Sequence, residues 1–170
     1  MKKQASPAVS LRRLVMEDFE TVTEWSRDEL FCLANGWEIN RQPEEMLNWW
    51  TRCVEGISED FIRKGVECEG QLVGYADLVI GKEESAELGI AIGNRMLWGK
   101  GIGVLASQLL MDYAVKERGI RSFYAETHES NERARRMLEK LRFQEVSRNG
   151  MEEYNGEVSR LLQFSLDTND

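Results

Sequence analysis

Glu87-Leu-Gly-Ile-Ala-Ile-Gly-Asn-Arg-Met-Leu-Trp-Gly-Lys-Gly-Ile-Gly-Val-Leu105 decides how the rest of the chain is read, because an apolar strand passes through a glycine loop into the start of a helix. Gly99, Gly101 and Gly103 leave three backbone N–H groups with no Cβ beside them, so the main chain can close around an anionic group. The helix that follows points its positive N-terminal end at the same spot. A phosphate-bearing ligand is the expectation.

Composition narrows the classes. A chain of 170 residues with 42% hydrophobic content suits one domain over residues 1–170. The 22 basic and 30 acidic residues give a net charge of −8, which argues against a surface built to hold nucleic acid phosphates. An acidic surface suits cationic partners, or simply keeps the protein soluble. Cys32, Cys53 and Cys68 are odd in number and widely spaced, and His128 is the lone histidine, so neither a metal site nor a disulfide framework is expected. Met1-Lys-Lys-Gln-Ala-Ser-Pro7 leads into alternating polar and apolar residues and not into a signal-peptide core. No run approaches the ~18 apolar residues of a membrane span. The expectation is a cytoplasmic protein with no membrane and no nucleic-acid partner.

Working outward from the loop, residues 86–92 form strand four, and 71–80 pair with 61–68 in a hairpin turned at Glu69-Gly70. Before the hairpin, residues 9–13 form a first strand. Phe19, Val22 and Trp25 mark a first helix that ends near Asp28, and Asn35-Gly36 marks a turn. Pro43 opens a second helix with Met46, Trp49, Trp50 and Cys53 on one side. Trp25, Trp37, Trp49 and Trp50 crowd this region, either as core packing or, for Trp37, Trp49 and Trp50, as the lining of an acceptor cleft. After the loop, Leu105, Leu109 and Tyr113 repeat at helical spacing until Gly119. Residues 121–127 alternate as strand five. Ser130 or Asn131 caps a helix carrying Ala134, Met137, Leu138 and Leu141, and closing strands follow near 143–148 and 158–166, joined across Tyr154-Asn155-Gly156.

Gly101-x-Gly103-x-x-Ala106 formally fits a dinucleotide fingerprint, with Glu126 at about the distance of a ribose contact. In that fold, however, the strand runs straight into the first glycine. Here Asn94 to Trp98 intervene, and only one strand-helix-strand unit is present. A P-loop also fails, because Lys100 is followed by glycine and not by Ser or Thr.

Trp98-Gly-Lys-Gly-Ile-Gly103 resembles the acetyl-CoA pyrophosphate loop of the GNAT superfamily of N-acetyltransferases, Gln/Arg-x-x-Gly-x-Gly/Ala, with tryptophan at the first position. That version is frequent in the ribosomal-protein N-terminal acetyltransferase-like branch. Asn131-Glu-Arg-Ala-Arg-Arg-Met-Leu-Glu-Lys-Leu-Arg-Phe143 resembles the family's second signature, Asn-x-x-Ala-x-x-Leu-Tyr-Glu-Lys-Leu-Gly-Phe, and the opening Leu11-Arg-Arg-Leu-x-x-Glu-Asp-Phe19 is typical too. The resemblance implies an α+β fold, with a central mixed, mostly antiparallel sheet of about six or seven strands flanked by about four helices. The sheet would splay open between strands four and five.

The resemblance further implies acetyl-CoA as co-substrate, with acetyl transferred to a primary amine: a protein N-terminal α-amine or a small amine such as a polyamine or aminoglycoside. The backbone of Ile90, Ala91 and Ile92 would pair with the pantetheine arm. Trp98 and the N–H groups of Gly99, Lys100, Gly101, Ile102, Gly103 and Val104 would hold the pyrophosphate. Asn131 would contact the cofactor or serve as a plain helix cap. Arg95 and Lys100 would add charge or be solvated.

Only a neutral amine attacks a thioester, and side-chain amines (pKa ~10.4) and α-amines (~7.7–8.0) are mostly protonated at neutral pH. Glu87 is the candidate base, directly or through water; it is otherwise the anion that attracts the ammonium, or an ordinary strand-end carboxylate. The family's usual thiolate-protonating tyrosine aligns with Leu138, and Arg142 replaces the glycine before Phe143. His128, Tyr124 and Tyr154 are the candidate substitutes. A non-catalytic acyl-CoA-binding module is the second reading, and a nucleotide-binding oxidoreductase the third. The final strand leaves monomer and homodimer both open.

Overall fold

The computed structural model describes residues 5–56 and 58–168; the Met1–Gln4 part of the N-terminal reading lies outside them. In chain order the elements are β1 (Val9–Arg12), α1 (Phe19–Ser26), α2 (Glu29–Asn35), α3 (Pro43–Glu55), β2 (Phe61–Cys68), β3 (Gln71–Ile80), β4 (Ser85–Ile92), α4 (Ile102–Arg118), β5 (Ser122–His128), α5 (Glu132–Lys140), β6 (Gln144–Ser147), β7 (Met151–Tyr154) and β8 (Glu157–Asp167). Two 3-10 turns, Met16–Asp18 and Arg95–Leu97, precede α1 and α4. The strands form one sheet in the order β1-β2-β3-β4-β5-β8-β6, with β7 on β8. β4 and β5 run parallel, whereas the other recorded pairs are antiparallel.

This is the mixed, mostly antiparallel sheet the sequence implies, with two additional elements. The first is α2, which the reading left as a turn-ended segment. Asp28 accepts hydrogen bonds from the N–H groups of Leu30 and Phe31, and Gly36 closes the helix at φ 67°, so seven residues form two capped turns. The second is β7, which meets β8 through a two-residue Asn155-Gly156 hairpin at φ 53° and 83°. Asn-Gly is the pair that tolerates positive φ at both central positions.

Strand alternation divides the core. Ala76, Leu78, Ala86, Leu88, Phe123 and Ala125 pack under α4 and α5, and Leu72, Tyr75 and Ala91 pack under α1, α2 and α3. Glu87 and Gly89 therefore share the α1–α3 face with Ala91. The decisive break lies between β4 and β5. They pair only at Ser85↔Ser122, Ala86↔Phe123 and Glu87↔Tyr124, after which β4 continues to Ile92 and β5 to His128 without joining. On its other edge β4 stays fully paired to β3, down to Gly74↔Ile92.

Gly74 makes that last contact possible, because a Cβ there would sit 2.2 Å from the Ala91 carbonyl oxygen and 3.0 Å from Ile92 Cα. Gly74→Ala is expected to cost about 1–3 kcal/mol in urea unfolding, because the clash is with backbone that no side-chain rotation relieves.

At the opposite end, Arg12 on β1 fixes the approach to α1. Its Nη2 and Nη1 lie 2.8 and 2.9 Å from the two Asp18 carboxylate oxygens, and its Nε lies 2.6 Å from Glu67. Asp18 also accepts the Val15 N–H at 3.0 Å. Burial pushes the Asp18 carboxyl up, but the bonds from Arg12 and Val15 outweigh it and hold the pKa below the usual value of 3.8. With the folded pKa below the unfolded one, the stabilisation is complete above the unfolded pKa and is lost as pH falls through the folded one. Asp18→Asn is expected to lower stability by about 1–3 kcal/mol at neutral pH, with the gap to wild type closing below about pH 4 in urea titrations.

Candidate functional site

The opening between β4 and β5 continues as a cleft of about 500 Å³ whose walls are the end of β4, the loop into α4 and the exposed side of α5. Ile90, Ala91, Ile92, Trp98, Gly99, Gly101, Ile102, Gly103, Val104 and Asn131 all line it. Ten of the eleven positions that the sequence pointed to for a cofactor thus line one cavity, whereas Glu87, His128, Trp37, Trp49 and Trp50 do not. The eleventh, Lys100, is exposed and is not among the lining residues.

Local chemistry explains the loop's shape. Gly99 and Gly101 sit at φ 78° and 82°, left-handed values that a side chain would strain, and Gly101 is the N-cap of the 17-residue α4. The loop glycines and the helix start thus border the same cleft, where a helix N-terminus suits an anion. Gly103 has the tightest surroundings of the three: a Cβ there would approach Met137 Sδ to 3.1 Å. Trp98 anchors the front of the loop by donating its indole N–H to the Ile92 carbonyl at 2.8 Å. The Ile92 carbonyl therefore already has a partner.

The cations come from residues to which sequence reasoning gave no role. Arg133, Arg136 and Lys140 line the cleft from α5 at helical spacing. The Arg133 guanidinium carbon lies 3.5 Å from the Trp98 ring centroid, and among the described residues no carboxylate lies within ion-pair distance of it. Desolvation lowers the Arg133 pKa, but an arginine stays cationic regardless. The signal available was the Arg-x-x-Arg-x-x-x-Lys spacing within the second signature. Arg95 does not supply charge to the cleft, because its Nε lies 2.6 Å from Asp28, the α2 cap. Asn131 is a helix cap that also lines the cleft. Its Oδ1 accepts the Ala134 N–H at 3.1 Å, and the residue lines the cleft, leaving its amide nitrogen for a ligand.

On the other side of the break, Glu87 is exposed and is the last β4 residue paired with β5, opposite Tyr124, which is 47% exposed. Leu138 is 2% exposed and belongs to the core under α5, so the position of the family tyrosine holds no proton donor. His128 is not in the cleft lining. It stacks on Tyr154 with ring centroids 4.7 Å apart, and its Nε2 lies 3.4 Å from Glu152 without hydrogen-bond geometry.

None of the tryptophans named for an acceptor cleft lines the β4–α5 cleft. Trp50 lines no cleft: it is 1% exposed and its indole N–H donates to the Val15 carbonyl at 3.1 Å, so packing takes it. Trp37 and Trp49 are half-buried and meet edge to face at 5.1 Å, above Tyr75 on the sheet and outside the β4–α5 cleft. Among the described residues no helix is long and apolar enough to cross a membrane, and no group of three or more His, Cys, Asp or Glu is placed to hold a metal ion.

Known proteins bear on this geometry. Residues 9–144 match the family model of the acetyltransferase (GNAT) domain. An uncharacterised protein of Methanocaldococcus jannaschii is 25% identical over 161 residues, covering 89% of this chain and 31% of that protein. The alpha/beta-tubulin-N-acetyltransferase 9 of Mus musculus is 25% identical over 138 residues, covering 78% of this chain and 49% of that protein. The chain thus spans about a third and about half of these relatives' lengths. A spermidine N-acetyltransferase from Vibrio cholerae, solved in complex with CoA and spermine, shares the fold with a TM-score of 0.80, at 20% identity over 94% of this chain and 95% of that one. With the glycine loop, the parted strands and the Asn131 helix all inside the matched span, the chain belongs to the GNAT acetyltransferase family.

Proposed function

We propose that this protein transfers an acetyl group from acetyl-CoA to a primary amine, either a protein N-terminal α-amine or a small amine. One juxtaposition carries the reading: an anion-binding helix start and the unpaired edge of β4 form a single cleft, and Glu87 stands where that edge begins. The donor set fits the cofactor. Loop N–H groups and Asn131 suit a pyrophosphate, Arg133, Arg136 and Lys140 suit further phosphate charge, and the free β4 edge suits an amide-bearing arm. Three free cysteines, two of them buried, favour a reducing compartment such as the cytoplasm.

In the transfer, the neutral amine nitrogen forms a bond to the thioester carbonyl carbon, the C–S bond breaks with its electron pair on sulfur, and the proton that the nitrogen sheds as the amide forms passes to the departing thiolate or to water. The ammonium proton must leave first, and Glu87 receives it directly or through a water. No Tyr, His, Ser or Cys lines the cleft among the described residues, which leaves the Lys140 ammonium and water to meet the departing thiolate. A thiol pKa near ~8.5 makes that departure tolerable. The same observation favours a second reading, a domain that binds acyl-CoA without turnover.

Free-thiol release from acetyl-CoA across an amine panel decides between the two. Glu87→Gln is expected to reduce kcat/KM about 10²-fold at neutral pH with CoA affinity unchanged, and the loss should shrink as pH nears the pKa of the acceptor. Binding of acetyl-CoA with no amine accelerating thiol release selects the binding domain. The double variant Arg136→Ala/Lys140→Ala is expected to weaken CoA about tenfold in calorimetry at low salt, and less at ~1 M salt, where the charges are screened.

A further inference from the structure

On the α1–α3 face of the sheet, a cluster separate from the cleft has the composition of a cation-binding site. Arg63 on β2 lies opposite Asp77 on β3, with Nε to Oδ1 and Nη2 to Oδ2 both at 2.7 Å. Its Nη1 donates to Cys53 Sγ at 3.3 Å. The guanidinium carbon lies 4.6 Å from the Tyr75 ring centroid, 5.1 Å from that of Phe61 and 5.8 Å from that of Trp49. Trp37 backs this wall, stacking on Tyr75 and donating its indole N–H to the Tyr75 hydroxyl at 3.2 Å. Aromatic faces around one carboxylate are the usual means of holding an ammonium or guanidinium ion. Here the chain's own Arg63 is that ion.

The position of this box gives it a bearing on function. Asp77 is paired with Gly89 and Tyr75 with Ala91, while Glu87, two residues before Gly89, makes the last pair with β5. Gly89 is exposed, and a Cβ there would meet only Asp77 Cβ, at 3.8 Å. That face of β4 therefore carries no side chain between Glu87 and Ala91, and the gap adjoins the box. The Arg63 and Asp77 side chains each keep 18% exposure, so the box is partly open to solvent.

We propose that Arg63 sets acceptor choice by occupying this box, so that the acceptor is a primary amine with no second cationic centre. A diamine or polyamine placed with one nitrogen at the parted strands would find the aromatic box already filled. Its second ammonium would also meet a guanidinium and not a free carboxylate. Peptide α-amines with neutral neighbours and simple monoamines meet no such obstacle. The inference rests on the acetyl-transfer reading above, and goes beyond it by naming which amines are refused.

The test compares kcat/KM for spermidine and for n-butylamine in wild type, Arg63→Ala and Arg63→Lys. Emptying the box in Arg63→Ala is expected to raise the spermidine-to-butylamine ratio about tenfold or more, and Arg63→Lys, which keeps a cation there, to leave it within about twofold. Guanidinium at ~5 mM, far below denaturing levels, refills the box and is expected to reverse the gain in Arg63→Ala only. Arg63→Gln, neutral but able to hydrogen-bond Asp77, carries the same expectation should the alanine variant not fold. A purely structural Arg63 would lower both rates together, and an unchanged ratio in a cooperatively melting variant overturns the proposal. Calorimetry of spermidine without acetyl-CoA separates the two failures. If wild type acetylates no amine, the transfer reading fails, and spermidine binding no tighter to the variant than to wild type then overturns the box as well.

Discussion

Everything that gives this fold a site follows from how early β4 and β5 stop pairing. Three parallel pairs, ending at Glu87↔Tyr124, join two halves of the sheet that then diverge. Beyond them each strand is left with an edge of backbone donors and acceptors lacking strand partners, a condition tolerated only where water or a ligand supplies them. The divergence is held open from both sides. β4 is kept against β3 as far as Ile92, and β5 against β8 along its whole length. The helix N-terminus at Gly101 then arrives beside the exposed edge, so an unpaired strand end and a helix start share one cavity.

How much of this the sequence revealed depended on whether the signal was local. The glycine loop, the Asn131 cap and the strand preceding the loop are written in adjacent residues, and their side chains converge in the structure as the pattern implied. α2 escaped because seven residues hold too few apolar repeats for periodicity. Its evidence lay in the end chemistry, Asp28 at one terminus and Gly36 at the other. β7 escaped for a related reason: Met-Glu-Glu-Tyr buries little and exists as a strand because the Asn155-Gly156 turn returns the chain to β8. The strand order, with β8 between β5 and β6, involves contacts across long stretches of sequence that no short pattern encodes.

Charge was the least legible property. Lys100 and Arg95 sit beside the loop in sequence, yet one is solvated and the other is engaged by Asp28 at the cap of a helix 67 residues away in the chain. The cleft's cations come from α5, where Arg133, Arg136 and Lys140 fall on one side of a helix whose other side buries Leu138. Reading them required the helix and its orientation, not proximity to the glycines. Trp37, Trp49 and Trp50 show the same limit: adjacent tryptophans on α3 divide, one into the core and one over Arg63.

Leu138 shows how packing and chemistry compete for one position. The residue lies on the apolar stripe of α5 and is 2% exposed, within a core that includes Ile102, Leu141 and Phe143. A tyrosine at this point of the helix must send its hydroxyl past that core into the cleft, because a buried hydroxyl without a partner is costly. Leucine satisfies the core and brings no hydroxyl to the cleft from this position. For the proposed transfer this puts weight on the nucleophile's side, where the proposed base Glu87 is an exposed carboxylate. The two groups of the proposed acceptor side, Glu87 at the end of the strand pairing and the filled box around Arg63, lie on the same face of the sheet, opposite the face that buries Leu138.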